Sequence, residues 1–166
     1  MTAAPVVRRI DPGEWQAYRD IRLRALKDSP DAFGSTLEEA SQYTDAMWRE
    51  RVERASTATD LPLFAVVEET PVGLAWARID APANVAHLYQ MWVAPDARGQ
   101  GVGRLLVNEA IEWSRSRGVV QLILEVTIGN APARHLYEVV GFIPTGEPLP
   151  LRPGGDLMEQ TMVLEL

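Results

Sequence analysis

The sequence predicts a mixed α/β fold, in which about four helices flank a central, mostly antiparallel sheet of about seven strands. Three strand-like runs between residues 61 and 93 are joined by short, turn-rich links, which is typical of an antiparallel meander. The order strand, helix, strand over residues 85–128 then favours a right-handed parallel crossover. We expect one domain over residues 1–166, because this length suits a single core and neither a linker nor a repeat interrupts it.

The N-terminal third is expected to add one strand and two helices. Residues 5–10 (PVVRRI) form a short strand, and Asp11 with Pro12 suits the start of a helix over 14–29. Turn residues in 29–35 (SPDAFGS) end that helix, and a second helix is predicted over 36–56. Its buried side should consist of the apolar residues at helical spacing, which are Leu37, Ala40, Tyr43, Met47 and Trp48.

The rest of the chain continues with strands and two more helices. The meander consists of strands over 61–69, 74–80 and 85–93, and Pro95 ends the third, because proline cannot donate to a strand ladder. The elements after it are a helix over about 101–117, a strand over 119–128, a short helix over 130–141, and strands over 142–147 and 157–166. Residues 148–156 (PLPLRPGGD) are interpreted as a rigid, kinked link.

Composition excludes several classes of function. A net charge of −7 argues against a nucleic-acid partner. The chain has no cysteine and only two histidines, so we expect no metal, no disulfide and no cysteine nucleophile. No apolar run is long enough to cross a bilayer, so no membrane partner is expected. The N-terminus does not resemble a signal peptide, which makes a cytoplasmic location the default expectation.

The most informative stretch is RGQGVGR, residues 98–104, where glycines alternate at the start of a predicted helix. Without side chains, backbone N–H groups can approach one ligand closely, and the helix dipole adds partial positive charge there. Arg98 and Arg104 supply full charges, so a phosphate or pyrophosphate is the expected guest. Neither the dinucleotide-binding fingerprint nor the Walker pattern fits this spacing. A glycine-rich turn without a ligand is the less favoured interpretation.

Two motifs carry a family resemblance. RGQGVG, with Arg98, Gly101 and Gly103, resembles the phosphate loop Arg/Gln-x-x-Gly-x-Gly/Ala of the GNAT superfamily of acetyl-CoA-dependent N-acetyltransferases. NAPARHLYEVVGF, residues 130–142, resembles the Asn…Ala…Leu-Tyr…Gly-Phe block of that family. The resemblance is close over about 85–143, and the element order extends it over the chain. It implies an acyltransferase that uses acetyl-CoA as cosubstrate, with strands 85–93 and 119–128 splayed around pantetheine.

The resemblance also implies which residues hold the cosubstrate. Backbone N–H groups from Gly99 to Arg104 would bind the CoA pyrophosphate. Pantetheine would bond to the backbone near Trp92 and Val93, where an amide would polarise the thioester carbonyl. Asn130 would either hold CoA or cap its helix. The full expected set is Trp92, Val93, Arg98, Gly99, Gln100, Gly101, Val102, Gly103, Arg104 and Asn130.

Tyr137 matches the usual acid of the family, whose reaction is direct attack of an amine on the thioester in a ternary complex. A tyrosine of pKa about 10 donates uphill, by roughly 2 kcal/mol, to a thiolate whose conjugate acid has a pKa of about 8.5. Hydrogen bonding to the sulfur is therefore expected to matter as much as complete proton transfer. Helix packing beside Leu136 is the alternative role for Tyr137.

The general base has three candidates. Glu125 interrupts an apolar strand, where burial would raise its pKa toward the range that a base needs. Its alternative role is a structural carboxylate. His87 is the rival, since strand alternation predicts it on one face with Tyr89, Met91 and Val93. A lone histidine on a strand is more often a packing residue, which is the alternative role of His87. Water relaying the proton would make both side chains dispensable.

The acceptor is expected to be a primary amine, as a small molecule or a peptide N-terminus. The walls of the acceptor-binding site should come from residues 29–35, the second helix and residues 147–156. The acidic residues nearby either attract a cation or are ordinary surface charges; they are Asp28, Asp31, Glu38, Glu39 and Asp45. Trp48 and Trp92 either line the acceptor site or pack in the core. The chain is expected either to be a monomer or to form a homodimer. Two other functions remain as alternatives, namely a CoA-binding sensor without turnover and a phosphate-binding enzyme of different chemistry.

Overall fold

An eight-stranded sheet forms the centre of the computed structural model, which describes residues 3–166. The strands are β1 (Val6–Arg9), β2 (Asp60–Val67), β3 (Thr70–Asp80), β4 (Val85–Val93), β5 (Gln121–Thr127), β6 (Ile143–Pro144), β7 (Leu149–Pro150) and β8 (Met158–Glu165). Their order is β1-β2-β3-β4-β5-β8-β6, and β7 also pairs with β8. All pairings are antiparallel except that of β4 with β5, as the sequence predicts.

Five α-helices cover the two faces of this sheet. They are α1 (Trp15–Asp28), α2 (Leu37–Ser41), α3 (Asp45–Glu53), α4 (Val102–Ser116) and α5 (Ala131–Val140). The ring of Tyr18 on α1 lies 5.4 Å from that of Trp76 on β3, which fixes α1 to one face. On the other face, a Cβ at Gly73 of β3 would lie 3.1 Å from Leu106 of α4, so the glycine permits close packing there. No helix among residues 3–166 has the length and apolarity that a bilayer crossing requires.

The second predicted helix, residues 36–56, is wrong as a single element, because the structure divides it into α2 and α3. The division lies at residues 42–44, where the hydroxyl of Thr44 accepts a hydrogen bond from the backbone N–H of Met47 and caps α3. This polar cap competes successfully with continuation of the helix. The new helix direction buries Trp48 but leaves Met47 42% exposed, so Met47 does not belong to the predicted buried side.

The predicted link over 148–156 contains a short strand of its own, β7, which pairs with β8. Pro150 is tolerated because β7 is an edge strand, where a missing N–H costs no ladder bond. The guanidinium of Arg152, just beyond β7, donates hydrogen bonds to the backbone oxygens of Pro30, Phe33 and Gly34. This side chain ties the link to residues 30–34.

A buried carboxylate connects β2 to β3. Asp60 is only 6% exposed and accepts hydrogen bonds from Trp76 Nε1 at 2.8 Å, Arg78 Nε at 2.9 Å and the Thr59 hydroxyl at 2.8 Å. Burial raises the pKa of Asp60, but the three hydrogen bonds outweigh burial, and the net result is a lowered pKa.

The Asp60→Ala variant is expected to reduce the free energy of unfolding at pH 7 by about 2 kcal/mol, because the Trp76 indole would be left buried without an acceptor. Since the folded-state pKa of Asp60 is lowered, its ionised carboxylate adds to the free energy of unfolding above a pH of about 4. This contribution is lost as the pH falls below that value. Urea unfolding at pH 7 and at pH 3.5 should therefore show the difference between wild type and variant shrinking in acid. Asp156→Ala, in an exposed loop, is the control. An equal loss in both variants would contradict this role of Asp60.

Candidate active site

The parallel strands β4 and β5 separate soon after they meet. Only Val85, Ala86 and His87 of β4 pair with β5, whose partners are residues 121–123. Beyond these positions the strands have no mutual hydrogen bonds, so their carboxyl-terminal halves form a split in the middle of the sheet. The splayed pair that the family resemblance implies is confirmed.

A β-bulge in β4 lies on the edge of this split. Trp76 of β3 pairs with Tyr89 and Leu74 pairs with Trp92, so β4 advances three residues while β3 advances two. The extra residue is accommodated at Gln90, whose φ is +59°. The expected alternation of β4 is therefore wrong past Tyr89. Met91 and Val93 lie near Gly103 of α4, whereas Trp92 lies on the face of α1.

The segment 99–104, at the head of α4, offers a row of backbone donors. Gly99 and Gly101 have φ values of +76° and +80°, which residues with side chains rarely adopt, and Gly101 directly precedes α4. Within the described chain, no backbone N–H of residues 99–104 donates to a protein acceptor. Gly103 is needed for a different reason, since a Cβ there would lie 3.1 Å from Leu136 of α5. Two glycines thus shape the loop, and the third lets α5 pack against α4.

The two arginines of this loop have different surroundings. Arg98 Nη2 lies 2.7 Å from Asp28 Oδ2, and Arg98 Nε donates to the Val93 carbonyl at 2.9 Å. Trp92 Nε1 donates to the same carboxylate at 3.1 Å. Hydrogen bonds from the Ser29 hydroxyl and from Arg98 lower the pKa of Asp28. Arg98 therefore fastens the end of β4 to α1, whereas exposed Arg104 has no ion pair within residues 3–166.

A cavity of about 730 Å³ opens from the split between β4 and β5. Of the expected catalytic residues, Tyr137 and Glu125 line it, and His87 does not. Asn130 also lines the cavity while its Oδ1 accepts a hydrogen bond from the Ala133 N–H at 3.4 Å, so the side chain caps α5. None of residues 98–104 borders this cavity, so the amide loop and the cavity are separate parts of the site.

Tyr137 is buried on α5, with its ring edge against Phe142 at 5.7 Å. Burial raises the pKa of its hydroxyl far above the usual value for tyrosine, and no charged neighbour opposes this. The hydroxyl is therefore a neutral hydrogen-bond donor over the whole physiological pH range.

Glu125 differs from expectation in one respect. Strand alternation points it away from the buried side of β5, and the residue is exposed, so the expected burial of Glu125 is wrong. It lies among other polar groups of the cavity wall. Burial raises the pKa of Tyr89 and of Glu159 on β8, and the charge of Glu125 raises both further. Glu159 was not a sequence candidate, because only the register of β5 with β8 brings it near Glu125.

His87 lies within the paired part of β4, opposite Ile123 of β5 and Arg78 of β3. Its ring stacks on Tyr89 with centroids 5.8 Å apart. These contacts, together with its position outside the cavity, favour the packing role.

Parts of the segments expected to surround the acceptor border this cavity. Phe33, Ser35 and Leu151 line the cavity, as do Arg51 on α3 and Arg54 directly after it. Trp48 and Trp92 are buried and do not line it, which supports core packing for both. Sequence reasoning missed four lining residues on the face of α1, namely Tyr18, Arg22, Trp76 and Arg78. In the sequence, Tyr18 lies at the spacing of an apolar helix face and looks like a core residue, and no sequence signal marks Arg22.

The mixed sheet with a split parallel pair, and the donor loop at the head of α4, define the class of protein. Residues 15–142 match the model of the acetyltransferase (GNAT) family, and the chain belongs to this family. It is 31% identical over 144 residues to a mycothiol acetyltransferase of Thermobispora bispora, covering 82% of this chain and 45% of that relative. It is 37% identical over 117 residues to a streptothricin acetyltransferase of Streptomyces lavendulae, covering 70% and 56%.

The chain thus spans about half the length of the curated relatives that it matches. Among solved structures, it resembles a protein of Salmonella typhimurium that was proposed to be an acetyltransferase and was solved with its cofactor acetyl-CoA. The TM-score is 0.81 at 19% identity, with 98% of this chain and 94% of the other covered. At this identity the likeness supports the fold.

Proposed function

We propose that this chain is an acetyl-CoA-dependent N-acetyltransferase that moves an acetyl group to a primary amine by direct attack in a ternary complex. The observation that carries the proposal is the row of unpaired N–H groups at 99–104, next to a sheet that is split at β4 and β5. A diphosphate needs such donors, and an extended thioester arm needs such an opening. Membership of the acetyltransferase family supports the same activity.

The diphosphate of acetyl-CoA is held by backbone N–H groups from Gly99 to Arg104, including those of Gln100 and Val102. Arg104 adds a free positive charge near this donor row. Arg98 acts mainly by holding Val93 and Asp28 in place, since its guanidinium is already bonded to both. The pantetheine arm then runs along the open edge of β4 toward Trp92 and Val93, and Asn130 borders the opposite side from the head of α5.

The thioester carbonyl is polarised by a backbone amide of the segment 90–93. The bulge at Gln90 supports this assignment, because the extra residue breaks the regular ladder of β4 with β3 beside the split. A fixed donor aimed at the carbonyl oxygen stabilises the negative charge that develops when the amine attacks.

Tyr137 assists departure of the CoA sulfur. The amine nitrogen forms a bond to the carbonyl carbon, the C–S bond breaks, and the thiolate receives a hydrogen bond from the Tyr137 hydroxyl. Because burial raises the pKa of Tyr137, complete transfer of its proton is even less favourable than for an ordinary tyrosine. We therefore assign Tyr137 a donor role, with the final thiol proton supplied from solvent.

Glu125 removes the amine proton, directly or through water. A lysine-like amine has a pKa of about 10.4 and arrives charged at neutral pH, so it must lose one proton before attack. Glu125 borders the cavity and His87 does not, which supports the carboxylate over the imidazole.

Glu125→Gln is expected to lower kcat/KM about tenfold at pH 7. This loss is smaller than the roughly 10²–10⁴-fold that is usual for a general base, because water can reach an exposed site. The loss should shrink toward pH 9.5, where more of the amine arrives uncharged. His87→Ala should change kcat/KM little across this range. Steady-state rates between pH 6.5 and 9.5 measure both. The reverse pattern would assign the base to His87, and two unchanged profiles would assign it to water.

Release of free CoA thiol in the presence of acetyl-CoA and a panel of amines tests the activity itself. The chain has no cysteine, so a thiol reagent meets little protein background. Turnover with any amine supports the proposal. Thermal protection by CoA without turnover indicates a sensor, and the absence of protection contradicts both functions.

A further inference from the structure

Arg22 on α1 is a buried charge that the catalytic assignments leave unused. The residue is 5% exposed and borders the cavity, and its Nη1 has no hydrogen-bond partner. Its guanidinium lies over the ring of Phe33 at 4.7 Å, and it forms no ion pair with any of residues 3–166. A buried charge without a counter-ion is costly, so this one is expected to meet a partner that the free chain lacks.

Arg51 on α3 is a second cation on the same wall of the cavity. It also forms no ion pair with the described residues, and its guanidinium lies 4.4 Å from the ring centre of Tyr43. Burial lowers the pKa of Arg22, and the nearby charge of Arg51 lowers it further. One of these two cations is buried and the other is exposed on the same wall, and together they favour an anion between them.

The other arginines of the cavity have carboxylate partners. Arg78 lies 2.9 Å from Asp60 Oδ2, and Arg54 lies 2.6 Å from Glu50 Oε1. The carboxylates that line the cavity, Glu125 on β5 and Glu159 on β8, form no ion pair with an arginine among residues 3–166. The cavity therefore has a cationic wall on α1 and α3, and an anionic wall on β5 and β8.

A hydrogen bond connects the cationic wall to the split in the sheet. The Tyr18 hydroxyl donates to Gln90 Oε1 at 2.7 Å, and Gln90 is the bulge residue of β4. Tyr18 lies beside both arginines, whose charges oppose the burial that raises the pKa of its hydroxyl. An anion held by this wall would thus lie close to the proposed thioester position.

We propose that Arg22 and Arg51 form a subsite for an acidic group of the acceptor, so that the acceptor is an amino acid or a similar molecule carrying both an amine and a carboxylate. This inference rests on the proposed acetyl transfer. The arginines hold the carboxylate, and the amine is directed toward Glu125 and the thioester. The CoA phosphates are not the anion in question, because the donor row of residues 99–104 does not border the cavity.

The wild-type enzyme provides the first test. Amino acids are compared with their amides and their decarboxylated amines as acceptors, at saturating acetyl-CoA. KM for the acid is expected to be at least about tenfold lower than for either analogue without the carboxylate, as for a charge-assisted hydrogen bond of about 1.5–3 kcal/mol. Equal KM values for all three would overturn the subsite. Thiol release with none of the amines would instead contradict the proposed function.

Variants provide the second test. Arg22→Met and Arg51→Gln are each expected to raise KM for the amino acid about tenfold or more, while KM for its amide stays within about twofold. Arg49→Gln, an exposed position on α3 outside the cavity, is the matched control. A parallel rise for acid and amide would show that the arginines only support the fold, and would overturn the proposal. If Arg22→Met does not fold, Arg51→Gln and the wild-type comparison decide the question.

Discussion

Replacing Gly101 by valine is expected to weaken CoA binding about 100-fold, since roughly 3 kcal/mol is lost when two charge-assisted hydrogen bonds from displaced amides disappear. Gly101 has a φ of +80°, and no atom lies within 4 Å of the position of an added Cβ. The change therefore acts on the backbone and not through a clash. A β-branched residue at positive φ is strained, and relieving the strain turns the N–H groups of the loop away from a common centre.

Gly118→Val is the matched control for this variant. Gly118 has a φ of +74°, has equally open surroundings and follows the other end of the same helix, α4. Both variants should lose similar thermal stability, because the backbone strain is alike. Calorimetric titration with CoA should show the loss of affinity in Gly101→Val alone. Equal CoA affinities in the two variants would contradict the assignment of the 99–104 amides to the diphosphate.

The elements that the sequence predicts well are those in which local pattern and tertiary packing agree. The glycine-rich start of α4, its apolar stripe and the strand-like run of β5 imply a crossover, and the handedness rule then makes β4 and β5 parallel. The same reasoning cannot find the break at Thr44. There, the side-chain hydrogen bond of Thr44 divides a continuous helical pattern into two helices. Burial of Trp48 on the second helix stabilises this division.

The polar residues of the site are harder to predict, because their surroundings depend on register and on long-range contacts. Strand alternation fails past Tyr89, since one extra residue at Gln90 reverses the faces of Met91 and Trp92. Glu125 lies on an apolar strand and is nevertheless exposed, because β5 borders the split. Arg22 looks like any charged residue of an amphipathic helix, and only the contact of α1 with the sheet shows that it is buried.

Tyr137→Phe is expected to lower kcat about 100-fold, the lower range for loss of a positioned proton donor, with KM for acetyl-CoA changed less than about threefold. Phenylalanine keeps the aromatic edge against Phe142, so packing on α5 is preserved and only the donor to the departing sulfur is lost.

Because burial raises the pKa of Tyr137, its proton stays in place beyond the usual pKa of about 10. Wild-type kcat should therefore show no alkaline decline from this group up to pH 10. Above that pH, the stability associated with its protonated form begins to be lost.

Tyr43→Phe is the control, since Tyr43 lies outside the cavity and its ring contact with Trp48, at 5.4 Å, survives the change. Its kcat should equal that of wild type. Single-turnover measurements at saturating acetyl-CoA separate the chemical step from CoA release, and the loss in Tyr137→Phe should appear in the chemical step. An acyl thioester whose thiol has a lower pKa than that of CoA should partly restore the rate of Tyr137→Phe. The departing thiolate is then less basic and needs less help from a hydrogen-bond donor. A variant that keeps the wild-type rate, or one that loses acetyl-CoA affinity and rate in equal measure, would leave Tyr137 with a packing role only.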